Sequence, residues 1–206
     1  MLDRRAFLIA AVGTLLSTDQ TLAFFHQRKA DKRKKTAAGK KAAPPFRLDP
    51  KYEPQLVTYG EGNYPPRSIV VDPENRFLYF IEDETSATRY GVGVGRAGMS
   101  MRGTAYVARR AKWPTWTPTP NMIRREPRYA AYASGMPGGN GNPLGARALY
   151  LYRGSTDTMY RIHGTNQPRS IGQAMSSGCI RMLNAHVEQL YEKVAVGTLV
   201  VILRPA

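Results

Sequence analysis

Short segments rich in β-branched and aromatic residues, separated by turns rich in glycine and proline, constrain the fold of this 206-residue chain most. Residues 67–72 and 76–82 flank a Pro-Glu-Asn turn sequence and are predicted to pair as a β-hairpin. Further strand candidates are residues 89–94, 104–109, 148–152, 158–163 and 199–203. Such short strands favour a curved sheet or a sandwich over a βαβ protein, so the expected fold class is mainly β, of the α+β kind.

One helix is predicted, after residue 183. Asn184 is expected to accept hydrogen bonds from the first-turn amides and Gly197 to close the far end. Its apolar face would consist of residues at helical spacing, namely Val187, Leu190, Tyr191 and Val194. Two stretches rich in proline and glycine, residues 112–128 and 134–145, are expected to be long loops without regular structure, which often act as lids or binding walls.

The N-terminal residues have the pattern of a bacterial export signal. Arg4 and Arg5 precede an apolar stretch from Leu8 to Leu16, and small residues follow near Ala23. The stretch is shorter than the ~20 apolar residues of a comfortable membrane span. Residues 1–23 are therefore predicted to be a twin-arginine-type signal that directs the chain to the periplasm. An uncleaved N-terminal anchor is the alternative.

Residues 24–55 are expected to form a basic, disordered arm. Within it, residues 28–41 carry eight basic residues and one acidic residue, a local charge of +7 out of +15 for the chain. Repulsion and the lack of large apolar residues disfavour folding there. Because an exported protein rarely meets nucleic acid, no nucleic-acid partner is expected. The arm either contacts an anionic envelope surface or is a solvated spacer.

Residues 56–206 are expected to form one folded domain. The two arginines of the signal are balanced by two aspartates, so a net charge of +8 remains over residues 42–206. About 150 residues are enough to bury a core as a single domain.

Cys179 is the only cysteine in the chain and therefore has no partner for an intramolecular disulfide. In an exported protein, a lone thiol indicates a reactive role or an intermolecular bond. His163 stands sixteen residues earlier, and an imidazole is the usual base that converts a thiol into a nucleophilic thiolate. Composition alone also allows a buried structural cysteine and a structural or exposed histidine.

Cysteine catalysis also needs donors for an oxyanion and a group that fixes the tautomer of the base. Gly178 permits a tight turn, so the backbone amides of Ser177 and Gly178 are expected to converge on one point beside Cys179. No acidic residue flanks His163. We therefore assign tautomer control to a backbone carbonyl, with that of Gly164 as the first candidate.

The residues around this pair resemble the YkuD-type L,D-transpeptidases, whose signature is a His-Gly pair followed by Ser-His-Gly-Cys, an aliphatic residue and Arg or Asn. The similar segments are residues 142–150, 162–166, 171–172, 176–182 and 196–200, and the similarity runs from about Arg67 to Leu203. The resemblance implies a curved β-sandwich catalytic domain with one main helix after the catalytic cysteine. It identifies Cys179 as the nucleophile and His163 as the base.

The implied activity is acyl transfer on peptidoglycan stem peptides. The thiolate would attack the bond between the diamino acid at stem position three and D-alanine, and the resulting thioester would be attacked by an amine. Another stem as acceptor gives a 3→3 cross-link, water gives carboxypeptidase release, a D-amino acid gives exchange, and an outer-membrane or other envelope protein becomes attached to the wall.

Two positions beside the nucleophile bear on substrate binding. The position that often carries a second histidine in the family is Ser177 here, so any role of that imidazole must pass to the hydroxyl or the main chain. Arg181 is suited to hold a substrate carboxylate by a bidentate pair. A structural ion pair beneath the turn is the alternative.

Other classes of function remain as alternatives. A sortase-like ligase shares the order of His before Cys but has a wider gap, and a papain-like peptidase places Cys before His. A non-enzymatic wall-binding module would rely on the basic arm. No cofactor or metal is expected, because three histidines and one cysteine, widely separated, lack zinc-ligand spacing.

Overall fold

The computed structural model describes residues 45–60, 62–95, 101–175 and 179–204. Residues from Phe46 onward form one compact unit. The expected domain start at residue 56 lies inside the first strand of this unit. The export signal and most of the basic arm lie outside the described residues, as do Ser177 and Gly178.

The described part of the unit is mainly β, as predicted. Its strands are β1 (Gln55–Thr58), β2 (Ile69–Asp72), β3 (Phe77–Ile81), β4 (Ser86–Gly91), β5 (Gly93–Gly95), β6 (Gly103–Lys112), β7 (Arg147–Arg153), β8 (Thr156–His163), β9 (Ala174–Met175), β10 (Ile180–Arg181) and β11 (Leu199–Ile202). They form one mixed sheet in the order β1-β4-β3-β2-β11-β6-β7-β8-β10-β5-β9.

The β2–β3 hairpin forms as predicted, in antiparallel register from Ile69 opposite Phe80 to Asp72 opposite Phe77. The Asp72 carboxylate accepts hydrogen bonds from the backbone N–H groups of Glu74 and Asn75. The Asp72 side chain therefore stabilises the turn that its residues predicted from the sequence.

Among the described strands, three pairs are parallel: β11 with β2, β10 with β8, and β5 with β9. Parallel neighbours cannot be joined by a tight hairpin, so longer connections return the chain to the sheet. The connection from β8 to β10 contains a 3₁₀ turn (Pro168–Ser170) and the short strand β9. It carries the chain from His163 to Cys179.

The predicted helix forms as α2 (Asn184–Lys193) and packs against β7 and β8. Val187 and Leu190 are fully buried in the main core with Leu149, Ile162 and Ile180. Among the helices of the described ranges, none is long and apolar enough to cross a membrane.

Both predicted caps of this helix are wrong. Leu183 occupies the N-cap position and makes no side-chain cap hydrogen bond, and Asn184 is the first helical residue. The helix ends at Val194, whose backbone is extended. Gly197 instead has a φ of 90° in the turn that leads to β11, where its N–H donates to the carbonyl of Val107.

The two loops expected to lack regular structure are also partly ordered. Residues 112–128 include α1 (Pro120–Arg125), capped by the Thr119 hydroxyl, and a 3₁₀ helix (Pro127–Tyr132) follows. An isolated bridge joins Trp116 to Met136. Proline at the first helical position starts these helices rather than breaking them, because its missing N–H would have no partner there.

A segment before β1 packs into the sheet through Tyr52. This tyrosine ends a 3₁₀ turn (Pro50–Tyr52) and its ring lies 5.7 Å from that of Phe77. Gly91 and Gly172 both lie against Tyr52, so closely that a β-carbon at either position would overlap it. The two glycines thus provide the space that the tyrosine fills.

Candidate active site

The pairing of β8 with β10 brings the predicted catalytic residues to one face of the sheet. Ile180 is opposite Ile162 and Arg181 is opposite His163, in parallel register. Both isoleucines point into the core. Because side chains alternate along a strand, His163 and Arg181 point to the other face, and so does Cys179, one residue before β10.

His163 is buried, with 4% of its surface exposed. Its Nδ1 lies 2.6 Å from the carbonyl oxygen of Gly164, which can only accept, so Nδ1 carries the hydrogen and Nε2 carries the lone pair. Burial lowers the pKa of His163 to about 4, and the positive charges of Arg181 and Arg161 act in the same direction. The imidazole is therefore neutral at pH 7 and able to accept a proton at Nε2.

Cys179 is free and partly exposed. Sγ lies 4.0 Å from the carbonyl oxygen of Met159. Burial raises the pKa of the thiol, whereas the backbone N–H and the charge of Arg161 and the charge of Arg181 oppose that rise. The resting thiol is protonated at neutral pH.

Among the described residues, Sγ contacts the carbonyl oxygen of Met159 and makes no hydrogen bond to the His163 imidazole. The sulfur points toward Met159 in β8. His163 is the last residue of that strand, four residues after Met159. The resting pair thus consists of a neutral thiol and a neutral imidazole on one face.

Arg161 is held firmly on this face, two residues before His163 in β8. Its guanidinium forms a bidentate pair with Asp157, at 2.7 and 2.8 Å, and lies over the Tyr150 ring, 4.4 Å from the centroid. Such a pair fixes a guanidinium more rigidly than a single hydrogen bond. Its charge therefore acts on the thiol from a fixed position.

Arg181 lies next to a cavity of about 350 Å³. Its Nη1 lies 3.3 Å from Oε1 of Gln167, which lines the cavity. The remaining lining residues come from the two ordered loops and from the segment after β8: Trp116, Arg128, Tyr129, Tyr132, Met136, Gly141, Pro143 and Asn166. The lining thus combines aromatic rings with amide and guanidinium groups.

Sequence reasoning missed Arg161 and Gln167. Arg161 has a signal in the sequence, because strand alternation places it on the same side as His163 two residues later. Gln167 has none, since only the folded connection after β8 directs it toward Arg181. In the described ranges, no group of three His, Cys, Asp or Glu residues is arranged to hold a metal ion.

The L,D-transpeptidase catalytic domain model of the YkuD family matches residues 66–202. The chain therefore belongs to the family of L,D-transpeptidase catalytic domains. The match includes β8 with His163, the connection to Cys179 and β10, and α2.

Curated relatives include the probable L,D-transpeptidase ErfK/SrfK of Escherichia coli, which is 38% identical over 142 residues. That alignment covers 66% of this chain and 44% of the relative, so the chain spans less than half of the length of that protein.

Two solved structures show the extent of the similarity. A Brucella melitensis protein described as a probable carnitine operon oxidoreductase is 50% identical, with a TM-score of 0.53 over 76% of this chain and 96% of that one. A cysteine-to-serine mutant of an Enterococcus faecium L,D-transpeptidase is 18% identical, with a TM-score of 0.50 over 67% of this chain and 50% of that one, and supports the fold alone.

Proposed function

We propose that this protein is a peptidoglycan L,D-transpeptidase in which Cys179 is the nucleophile and His163 is the general base. The observation that carries the proposal is the shared face of β8 and β10, which holds both the thiol and a buried imidazole whose Nδ1 is bonded to the Gly164 carbonyl. Membership of the family supports the same assignment.

Acylation begins when Nε2 of His163 accepts the thiol proton as Sγ attacks the carbonyl carbon of the diamino acid at stem position three. The tetrahedral intermediate collapses as its C–N bond breaks, and the imidazolium returns the proton to the departing amine of D-alanine. A thioester on Cys179 remains.

Transfer reverses these steps with a different amine. The incoming amine attacks the thioester carbon and loses a proton to Nε2, the C–S bond breaks, and the thiol is restored. A diamino acid side chain as acceptor gives a 3→3 cross-link, and the amine of an envelope protein gives wall attachment. Backbone N–H groups of Ser177 and Gly178 are proposed to hold the oxyanion in both halves.

The resting pKa values require the proton to move during attack rather than before it. A thiol with a raised pKa and an imidazole with a pKa of about 4 do not form an ion pair at pH 7. A change of the Cys179 χ1 rotamer would turn Sγ away from Met159 and toward His163. We expect the stem peptide to favour this rotamer as it fills the site.

Stem peptides are proposed to bind in the cavity next to Arg181. They carry carboxylates, and Arg181 and Arg128 supply guanidinium groups at its edge and wall. Trp116 and Tyr129, whose rings lie 5.2 Å apart, limit the access of water to the thioester. Exclusion of water favours an amine acceptor over hydrolysis.

This chemistry places the protein where peptidoglycan is made, outside the cytoplasmic membrane. The sequence pattern of residues 1–23 supports export to the periplasm by the twin-arginine route. The arm at residues 28–41, with its charge of +7, supports contact with an anionic envelope surface.

The direct test is to incubate the protein with a carbapenem and measure its mass. We expect one adduct on the wild-type chain, located on Cys179, and none on a folded Cys179→Ser variant. A folded wild-type chain that forms no adduct would contradict the proposal.

Muropeptides with defined stems then separate transfer from the alternatives. Loss of D-alanine from a tetrapeptide stem with formation of a cross-link supports a transpeptidase, and release with water alone supports an L,D-carboxypeptidase. Cleavage of an internal L-L bond would indicate a peptidase. Wall retention that depends only on residues 28–41 and weakens steeply with salt, without any acyl transfer, would indicate a binding module.

A further inference from the structure

Asn184 does not cap helix α2, and its side chain instead reaches the segment next to the proposed base. Oδ1 accepts two backbone hydrogen bonds, from the N–H of Thr165 and from the N–H of Ala146, both at 3.1 Å. The first amide lies just after β8, and the second lies just before β7. One side-chain oxygen therefore joins the start of α2 to the ends of two strands.

The Thr165 amide belongs to the same peptide group as the carbonyl that holds His163. The group between Gly164 and Thr165 is planar, and its N–H and C=O point in opposite directions. Its N–H donates to Asn184, and its C=O accepts from Nδ1 of His163 at 2.6 Å. Fixing one side of this plane fixes the direction of the other.

Two glycines make room for the asparagine oxygen. A β-carbon on Gly145 or on Gly164 would overlap Oδ1 of Asn184, so both glycines are needed for the oxygen to approach the two amides. The N–H of Gly164 donates to the carbonyl of Arg147, and the carbonyl of His163 accepts from the N–H of Met182. These bonds hold the neighbouring peptide groups in place.

We propose that Asn184 is a positioning residue that sets the tautomer of His163 through the Gly164–Thr165 peptide group. When Asn184 accepts from the Thr165 N–H, the Gly164 carbonyl is aimed at Nδ1 and polarised as an acceptor. Nδ1 then keeps its hydrogen, and Nε2 keeps the lone pair that accepts the thiol proton. Without Asn184, the peptide plane can rotate and the Nε2–H tautomer becomes populated.

This inference rests on the proposed role of His163 as base, and three variants of the full chain test it. Asn184→Leu keeps a similar volume but removes the acceptor, whereas Asn184→Asp keeps an oxygen for both amides. Val187→Ala, in the same helix, is the matched control, because it removes buried methyl groups without touching the peptide group. His163→Gln identifies the His163 signals in spectra of ¹⁵N-histidine-labelled protein.

The first readout is the tautomer, measured from the ¹⁵N shifts of the imidazole at pH 7. We expect the Nδ1–H form of His163 in the wild-type chain, in Asn184→Asp and in Val187→Ala, and a mixture with the Nε2–H form in Asn184→Leu. A folded Asn184→Leu protein with the pure Nδ1–H form would overturn the inference. If that variant does not fold, Asn184→Ser, whose shorter hydroxyl reaches at most one amide, takes its place.

The second readout is the rate of carbapenem acylation of Cys179. In Asn184→Leu the maximal rate should fall about tenfold to a hundredfold, since a misplaced catalytic group costs rate rather than binding. The half-saturating concentration should change less than twofold, and Asn184→Asp should recover most of the rate. A loss of the same size in Val187→Ala would reduce Asn184 to a general structural role.

The two readouts separate failure of this inference from failure of the proposed function. A tautomer change in Asn184→Leu, in a protein whose wild-type chain is never acylated, would refute the function and leave the positioning intact. Acylation of the wild-type chain with no tautomer change in Asn184→Leu would support the function and refute the positioning role of Asn184.

Discussion

His163 and His186 are both buried, with 4% and 5% of their surfaces exposed, yet their surroundings differ. His163 has Nδ1 bonded to a backbone carbonyl and shares a face with Cys179. His186 has Nε2 at 3.2 Å from the Glu53 carboxylate, and its buried Nδ1 has no hydrogen-bond partner among the described residues. Burial lowers the pKa of both.

The comparison shows that a lowered pKa alone does not mark a base. What distinguishes His163 is that a neutral carbonyl bound at Nδ1 leaves the lone pair at Nε2, in a residue that shares a sheet face with Cys179. His186 is buried against a segment 133 residues away in the sequence. It links α2 to the residues before β1.

The largest expected difference between the two histidines is in catalysis. His163→Gln should lower the rate of carbapenem acylation at pH 7 about 10²- to 10⁴-fold, because it removes a general base. His186→Gln should stay within about threefold of the wild-type rate. Time courses of adduct formation by mass spectrometry measure both, and equal losses would contradict the assignment.

The next largest effect is on stability in acid. The pKa of His163 in the folded protein, about 4, lies below its ordinary value of 6.5, so the unfolded chain binds the proton first. The lowered pKa of His163 therefore contributes about 3 kcal/mol to the free energy of unfolding above pH 6.5, and this contribution is lost as the pH falls toward 4.

Urea unfolding between pH 4 and 7.5 measures this dependence. The free energy of unfolding should depend less on pH in both variants than in the wild type, because the pKa of His186 is also lowered by folding. The loss of pH dependence should be larger in His163→Gln than in His186→Gln. Parallel curves for wild type and His163→Gln would show that His163 is not buried in its neutral form.

The pH dependence of acylation gives a smaller but more specific difference. If His163 is the base, the rate should stay nearly constant as the pH falls from 7 to 5.5 and drop only near pH 4, where the imidazole becomes protonated. Stopped-flow or quenched time courses with a carbapenem measure this profile. An inflection near pH 6.5 would indicate a solvated imidazole instead.

The smallest effect is expected at the partner of His186. Glu53→Gln keeps an acceptor for Nε2–H, and the Glu53 side chain is half exposed, so the free energy of unfolding at pH 7 should change by less than about 1 kcal/mol. Glu188→Gln, which removes a half-exposed partner of Arg147, is the matched control. A much larger loss for Glu53→Gln would mean that its charge, and not its hydrogen bond, stabilises the buried ring.

Local chemistry predicted much of the fold. The β2–β3 hairpin and the apolar face of α2 follow from turn residues and side-chain periodicity, and both form. Strands β9 and β10 have two residues each, too few for a periodic signal. Their parallel partners depend on the path of the connection, which no local pattern encodes.

The sequence predicted which residues form the candidate site but not how they are arranged in space. The sequence indicated Cys179, His163 and the Gly164 carbonyl, and the structure places that carbonyl at Nδ1; the catalytic roles remain proposals. Asn184 shows the limit of local reasoning, because an asparagine before an apolar helix has the pattern of a cap. Its actual partners, Thr165 and Ala146, lie 19 and 38 residues earlier.

Tyr52 has a practical consequence for anyone who shortens this chain. A protein that begins at residue 56 would lack Tyr52, whose backbone and Cβ lie against Gly91 and whose ring lies against Gly172, in the connection that leads from His163 to Cys179. Weak activity in such a fragment would then reflect the loss of Tyr52 packing rather than a wrong assignment of the catalytic residues. Fragments intended for crystallisation or assay should start before Phe46.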